Sequence, residues 1–290
     1  MIVLSTKQKI NNDLDKMWAD AYEKHSMNNL QDAFYPDFYY HAKYYVNTYL
    51  NYYIPLKKGT ELPKKDENIR LKIIYKTFED NFTGKMKEFL LATFLYEEML
   101  QAEYQKVLVD LFNSFKTSYP KSNFTPYLQP MVNEIIVYHN EVKKDFATEQ
   151  KILANYDKVN SLDSLIGQFK DKTVFVDIWA TWCGPCKQEF EYSKDLEKFL
   201  KAKGVEMLFI SMDKDLADQT WREMIKYYKL SGSHIRTNNA LQKDLINKLW
   251  GGKGYAIPRY LIIKDGKVVV NNALRPSDKE KLYTQIGKYL

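Results

Sequence analysis

The sequence predicts two unlike parts: an all-α helical domain over residues 1–150 and, over 151–290, an α/β domain with a central mixed sheet flanked by helices. Three observations carry this. Only Gly59 and Gly84 of the 11 glycines fall in the first 150 residues, which also hold 15 of the 23 tyrosines, and so few turn residues suit helices better than strands joined by tight turns. Apolar side chains recur there at helical spacing. After residue 150 the pattern changes to short β-branched runs punctuated by glycine and interleaved with helical stretches. The boundary falls near residues 148–160, where helical periodicity fades into a polar stretch.

In the first part, Phe38, Tyr45, Tyr49 and Tyr52 fit one stripe, on a helix that Pro36 opens. Phe89, Leu90, Phe94, Leu95 and Met99 fit a second, and Val107, Leu108, Leu111, Phe112 and Phe115 a third that Pro120 ends. Ile135, Ile136 and Tyr138 belong to a fourth, which starts after Pro130, while Pro55 to Pro63 and Pro120 to Pro126 mark loops. About five or six helices packed as a bundle are expected. The stripes read as core and packing surface. The alternative is that Phe34, Tyr35, Tyr39, Tyr40, Tyr44 and Tyr53 form an aromatic groove for a partner chain, because tyrosines on nearly every face exceed what one core face needs. His25, His41 and His139 have no ligand-type neighbour at i,i+4 and read as surface or packing histidines.

In the second part, Thr173 to Trp179 (TVFVDIW) reads as a buried central strand. Lys187 to Lys203 reads as a helix that stops at Gly204, and Val205 to Met212 as a second strand. Trp221 to Leu230 and Leu241 to Trp250 look helical. Arg259 to Lys264 and Lys267 to Val270 flank Asp265-Gly266, a hairpin signal. Ser277, with Glu280 three residues on, reads as a capping box that opens a final helix to Leu290.

Composition narrows the function classes. With 45% hydrophobic and 28% charged residues the chain can bury a core and is not disordered. No apolar run approaches the ~18–20 residues that span a bilayer. The N-terminal MIVLSTKQKI has an apolar run far short of the roughly 7–15 residues of a secretory h-region, so no leader is present and the protein is either cytoplasmic or has lost one. The net charge of +6 arises in the second part, without a Lys/Arg cluster interleaved with aromatics that would point to nucleic acid. There are two cysteines, Cys183 and Cys186, too few for a disulfide-rich scaffold or a four-cysteine zinc site. No histidine lies near them in sequence, so neither a metal nor another cofactor is expected.

Two residues apart, these cysteines can close one small redox-active ring. Cys183 sits where a strand turns into a helix, in reach of the unpaired N–H groups and positive dipole of the first turn, and both favour a thiolate. It is therefore the candidate nucleophile. Cys186, three residues on and more enclosed, is the candidate resolver, which attacks the mixed disulfide and releases reduced substrate. Pro185 suits the turn, where a missing N–H costs nothing.

Residues 173–187, a strand with a buried aspartate followed by Trp-Ala-Thr and WCGPC, strongly resemble the active-site segment of thioredoxin, and the likeness extends over roughly 155–290. Within that superfamily, ATWCGPCKQEF resembles the TlpA/ResA-like thiol-disulfide oxidoreductases, and a helical domain ahead of a thioredoxin-like one resembles proteins of Bacteroidetes-type bacteria. The resemblance does not cover residues 1–150. It implies a thioredoxin-like fold for 151–290 and a cis peptide before Pro258, with Ile257 offering its backbone to an extended substrate in β-like pairing. It implies that Asp177 is the buried acid that takes the proton from Cys186, that Glu189 handles protons or selects substrate, and that Trp182 covers the disulfide. Two positions depart from the pattern. Leu208-Phe209-Ile210 lacks the lysine usual opposite the buried aspartate, which should make Asp177 harder to ionise, and Arg259 follows the proline where threonine is common.

The function expected is thiol-disulfide exchange with protein disulfide substrates, in the reductase direction, with an upstream thiol reductant as second partner and an extracytoplasmic location (periplasm or cell envelope) implied by the resemblance. The rival is an adaptor or chaperone-like protein whose helical part recruits a partner while the redox pair is secondary.

Overall fold

Two units divide the chain, Met1–Val137 and Tyr138–Leu290. The computed structural model describes residues 12–22, 27–60 and 66–290. His25, Pro63 and the segment 1–10 lie outside the described residues.

Up to residue 141 every described element is helical: α1 (Asn12–Tyr22), a 3₁₀ helix over Leu30–Phe34, α2 (Phe38–Tyr44), a π-helix over Tyr45–Tyr53, α3 (Ile54–Lys58), α4 (Glu67–Asn81), α5 (Gly84–Leu100), α6 (Val107–Ser118) and α7 (Thr125–Glu141). The π-helix changes which residues share a face, because its N–H groups reach back five residues rather than four. The buried set is Tyr39, Ala42, Val46, Tyr49 and Tyr53, not the expected Phe38, Tyr45, Tyr49 and Tyr52. Tyr45, Tyr49 and Tyr53 stack at 5.7 and 5.8 Å between ring centroids, and Tyr22 of α1 lies 5.1 Å from Tyr45. Of the six aromatics read as a groove, Tyr39 and Tyr53 are core, while Phe34, Tyr35, Tyr40 and Tyr44 are exposed.

Three prolines that the sequence set in or beside loops sit inside helices: Pro55 in α3, and Pro126 and Pro130 in α7. Pro55 stands at the start of α3, directly behind the π-helix, whose ladder ends with the Ile54 N–H donating to the Tyr49 carbonyl. Pro130 lies within α7, which starts before it at Thr125 instead of after it. Burial of Leu128, Val132, Ile135 and Tyr138 along one stripe outweighs the missing hydrogen bond. No described helix is long and apolar enough to cross a membrane.

The second unit holds a six-stranded mixed sheet in the order β1-β4-β3-β2-β5-β6: β1 (Gln150–Ile152), β2 (Thr173–Trp179), β3 (Glu206–Ser211), β4 (Gly232–Arg236), β5 (Arg259–Lys264) and β6 (Lys267–Val270). Strands β1 to β4 pair in parallel, and β5 runs antiparallel to both β2 and β6. Its helices are α8 (Leu162–Ile166), α9 (Gly184–Glu189), α10 (Ser193–Ala202), α11 (Asp218–Tyr227), α12 (Asn239–Trp250) and α13 (Glu280–Gly287). This is the thioredoxin-like arrangement that the resemblance implied.

Every residue of β2 is buried. On one face Phe175 of β2 and Tyr260 and Ile262 of β5 form a core with Leu196 and Leu200 of α10 and Leu282 and Ile286 of α13. Alternation along β2 points Asp177 to that same face.

Three readings are corrected. The helix expected over Lys187–Lys203 is two helices, α9 and α10, separated by a 3₁₀ turn at Phe190–Tyr192. Phe190 and Leu196, both buried, do not share a face at about 3.6 residues per turn, and the interruption lets both reach the core. β1 and β4 were absent from the expected strand order. Ser277 is not a helix cap: it lies in a 3₁₀ turn, Pro276–Asp278, and Lys279 flanks α13 with φ 47°. The N–H and hydroxyl of Ser277 are taken by another residue.

Candidate active site

The cysteines sit at the carboxyl end of the central strand, where the chain leaves β2 and begins α9. The turn is closed by the Cys183 N–H donating to the Ala180 carbonyl at 3.0 Å. Cys183 caps α9, with its Sγ accepting the Cys186 N–H at 3.2 Å, and Pro185 stands in the first turn. The two cysteines form a disulfide with 5.3 Å between their Cα atoms. Both are buried, Cys186 the more completely.

A buried carboxylate holds the preceding loop in place. Asp213, just past β3, accepts the Thr181 N–H at 2.9 Å, the Thr181 hydroxyl at 2.8 Å and the Ser211 hydroxyl at 2.8 Å. The Met212 N–H donates to the Trp179 carbonyl at 2.8 Å, so the first residues after β3 grip the end of β2 and the loop that follows it.

Two acids and a phenol interact with one another: Asp177 of β2, Glu189 of α9 and Tyr260 of β5. Asp177 is 2% exposed, and opposite it on β3 stands Phe209, so the apolar position noted in the sequence leaves Asp177 without a cation from that strand. Burial pushes the Asp177 carboxyl well above the usual carboxylate range, and the Glu189 charge adds to it. Tyr260 faces Asp177 from β5, and burial followed by the charges of Asp177 and Glu189 pushes its phenol upward as well. Glu189, the last residue of α9, is 7% exposed. Its Oε2 accepts the Ser277 N–H and its Oε1 the Ser277 hydroxyl, each at 2.9 Å.

The Ile257–Pro258 peptide is cis and leads into β5. Since Ile178 pairs with Arg259, Pro258 and the cysteines lie at the same end of the β2–β5 pair. Trp182 is 56% exposed, and its ring is 6.4 Å from that of Tyr255, which is 6.0 Å from Trp250. The Arg259 guanidinium lies 5.2 Å over Trp250 and donates to the carbonyls of Asn271 and Leu249, so its charge is turned into the fold.

The sequence reading named Cys183, Cys186, Asp177 and Glu189: the two cysteines are bonded to each other, Glu189 ends the helix they begin, and its charge acts on Asp177. It missed Asp213, Thr181, Tyr260 and Ser277. A local signal existed for Ser277, but it pointed to a helix cap. Among the described residues no group of three or more His, Cys, Asp or Glu side chains could hold a metal ion.

The Redoxin family model matches residues 135–286, just over half of the chain. The chain belongs to the Redoxin family. Within it the TlpA/ResA-like resemblance holds. Over 105 residues the chain is 38% identical to the thiol-disulfide oxidoreductase ResA of Bacillus thuringiensis subsp. konkukian, covering 35% of this chain and 54% of that protein. Over 121 residues it is 37% identical to ResA of Bacillus anthracis, covering 41% and 64%. The chain therefore spans only 54% and 64% of the length of these two relatives. The solution structure of a thiol:disulfide interchange protein from Bacteroides sp. matches 42% of this chain and 76% of its own, at 26% identity and a TM-score of 0.34. The Redoxin match together with the ResA identities makes this chain a TlpA/ResA-like member of the thioredoxin superfamily.

Proposed function

We propose that the C-terminal unit exchanges its Cys183–Cys186 pair with protein disulfides, acting as a reductase outside the cytoplasm. The observation that carries this is a disulfide closed across the first turn of α9, at the carboxyl end of the strand that carries the buried Asp177. In the reduced protein the Cys183 thiolate attacks one sulfur of a substrate disulfide, forming a mixed disulfide while the other substrate sulfur leaves as a thiolate. Cys186 passes its proton to Asp177 and attacks Cys183 Sγ, which releases the second substrate sulfur. Two electrons have moved from the protein dithiol to the substrate. An upstream thiol reductant restores the dithiol. Ile257 and Pro258 border the path of the substrate chain, and Trp182 covers its approach.

The test is trapping with full-length protein. Cys186→Ser should accumulate mixed disulfides with its substrates and thereby identify them, whereas Cys183→Ser should not. Equal trapping by both would reverse the two roles. The reductase direction needs a reduction potential towards the thioredoxin value of about −270 mV, and a potential near −120 mV would make the protein an oxidant.

A further inference from the structure

We propose that Ser277 is a positioning residue for the redox site, fixing the Glu189 carboxylate on the helix that carries Cys186. The two residues are 88 apart in sequence, yet one residue's N–H and hydroxyl serve both oxygens of the other, each at 2.9 Å. A glutamate side chain has several free torsions, and a two-point grip removes that freedom. The Arg275 guanidinium, 3.9 Å from Oε1, is too distant to replace either bond. The turn that presents Ser277 is itself held. The Arg275 N–H donates to the Asp278 carboxylate at 2.9 Å, and the Lys279 ammonium lies 5.4 Å over the Tyr192 ring, on the segment that continues α9. Ser277 caps no helix, so its hydroxyl is committed to Glu189.

The consequence runs through charge. Glu189 is faced by Asp177 from β2, by Tyr260 from β5 and by Arg275 from the turn, while Asp177 is faced by Glu189 and Tyr260. Fixing Glu189 keeps its charge beside Asp177, and so governs how readily Asp177 accepts the Cys186 proton. This kinetic consequence rests on the exchange reaction proposed above.

The experiment follows resolution of a mixed disulfide with a model peptide as a function of pH. Compared are the full-length protein, Ser277→Ala, Ser277→Thr, Glu189→Gln and the Ser277→Ala/Glu189→Gln double variant. Resolution quickens as Asp177 ionises. In Ser277→Ala that rise should move to lower pH by up to about one unit. Ser277→Thr should restore it, and in the Glu189→Gln background Ser277→Ala should move nothing further. A Ser277→Ala profile that overlays the parent, or an equal shift without Glu189, overturns the proposal. The unaltered protein supplies an independent readout: the Ser277 amide proton resonance should track protonation of Glu189 in acid, and an amide that ignores it removes the contact. If the parent exchanges with no disulfide, the functional reading fails, while the amide titration still decides the role of Ser277.

Discussion

Asp177 of β2 lies directly across from Tyr260 of β5, both enclosed, and neither Asp177 Oδ1 nor the Tyr260 hydroxyl finds a partner within the protein. A cavity of about 20 Å³ borders Asp177, lined also by Ser193, Leu196, Phe209 and Pro276. That volume admits roughly one water molecule. Asp177 is thus an acid with few donors to favour its charged form, next to a second carboxylate that opposes it. In the exchange proposed above, it would hold a proton until Cys186 needs to lose one.

Asp177→Asn should stabilise the second unit at neutral pH. The ordinary aspartate titrates near 3.9, and in the fold it titrates well above that for want of solvation and because of Glu189. Between those two points the folded state keeps a proton that the unfolded state releases, so stability falls as pH rises through the interval. Asparagine has the same shape and no such dependence. Thermal unfolding at several pH values should show the variant melting a few degrees higher at pH 7 and level with the parent near pH 4. Parallel curves would mean that Asp177 carries no raised affinity for protons.

Thr181→Val should loosen the redox loop without altering its shape. Valine removes the hydroxyl that donates to Asp213 Oδ1 and leaves one lobe of a buried carboxylate without that donor. A hydrogen bond to a charged group contributes about 1.5–3 kcal/mol, and a loss of that size should appear as a lower urea midpoint with an unchanged slope. Asp213→Asn should cost more, because its amide would turn an N–H towards donors. A midpoint unmoved by Thr181→Val would show that the contact contributes nothing.

Some of this was legible in the sequence and some was not, for physical reasons. β2, β5 and β6 announced themselves because a continuous buried run and an Asp-Gly turn are local signals. β1 is three residues long, and the buried end of β4 is His234-Ile235-Arg236, two of them polar. Those segments are strands because a parallel neighbour pairs with them, not because of their own composition. The site divides the same way. Cys183 and Cys186 share one helix and its cap, so spacing exposed them, while Glu189, on the same helix, was implied by the resemblance. Asp213 reaches Thr181 across 32 residues and Ser277 reaches Glu189 across 88, contacts that exist only once the sheet is assembled. Ser277 was misread because serine three residues before glutamate is a capping pattern wherever it occurs, and the pull of a buried carboxylate overrode it.

His234 should make the second unit sensitive to acid. It is buried at the centre of β4, stacked on Phe209 at 4.8 Å, with Nε2 paired to the Leu230 carbonyl at 2.9 Å. Burial lowers its titration from 6.5 to about 4, the one hydrogen bond acting in the other direction. Between those values the unfolded chain takes up a proton that the folded chain refuses, so stability is lost as pH falls through 6.5 towards 4. At 1.36 kcal/mol per pH unit the whole window is worth about 3 kcal/mol. Asp177 works in the opposite sense over part of the same range, so the effect is read as a difference between proteins. His234→Leu gives up the Leu230 bond and the stack, and should be the less stable protein at pH 7. It should also lose less on acidification, so that denaturant midpoints of variant and parent converge between pH 6.5 and pH 4. Midpoints that fall in parallel would mean that His234 gains its proton without opening the fold, and the buried neutral ring would have to be abandoned.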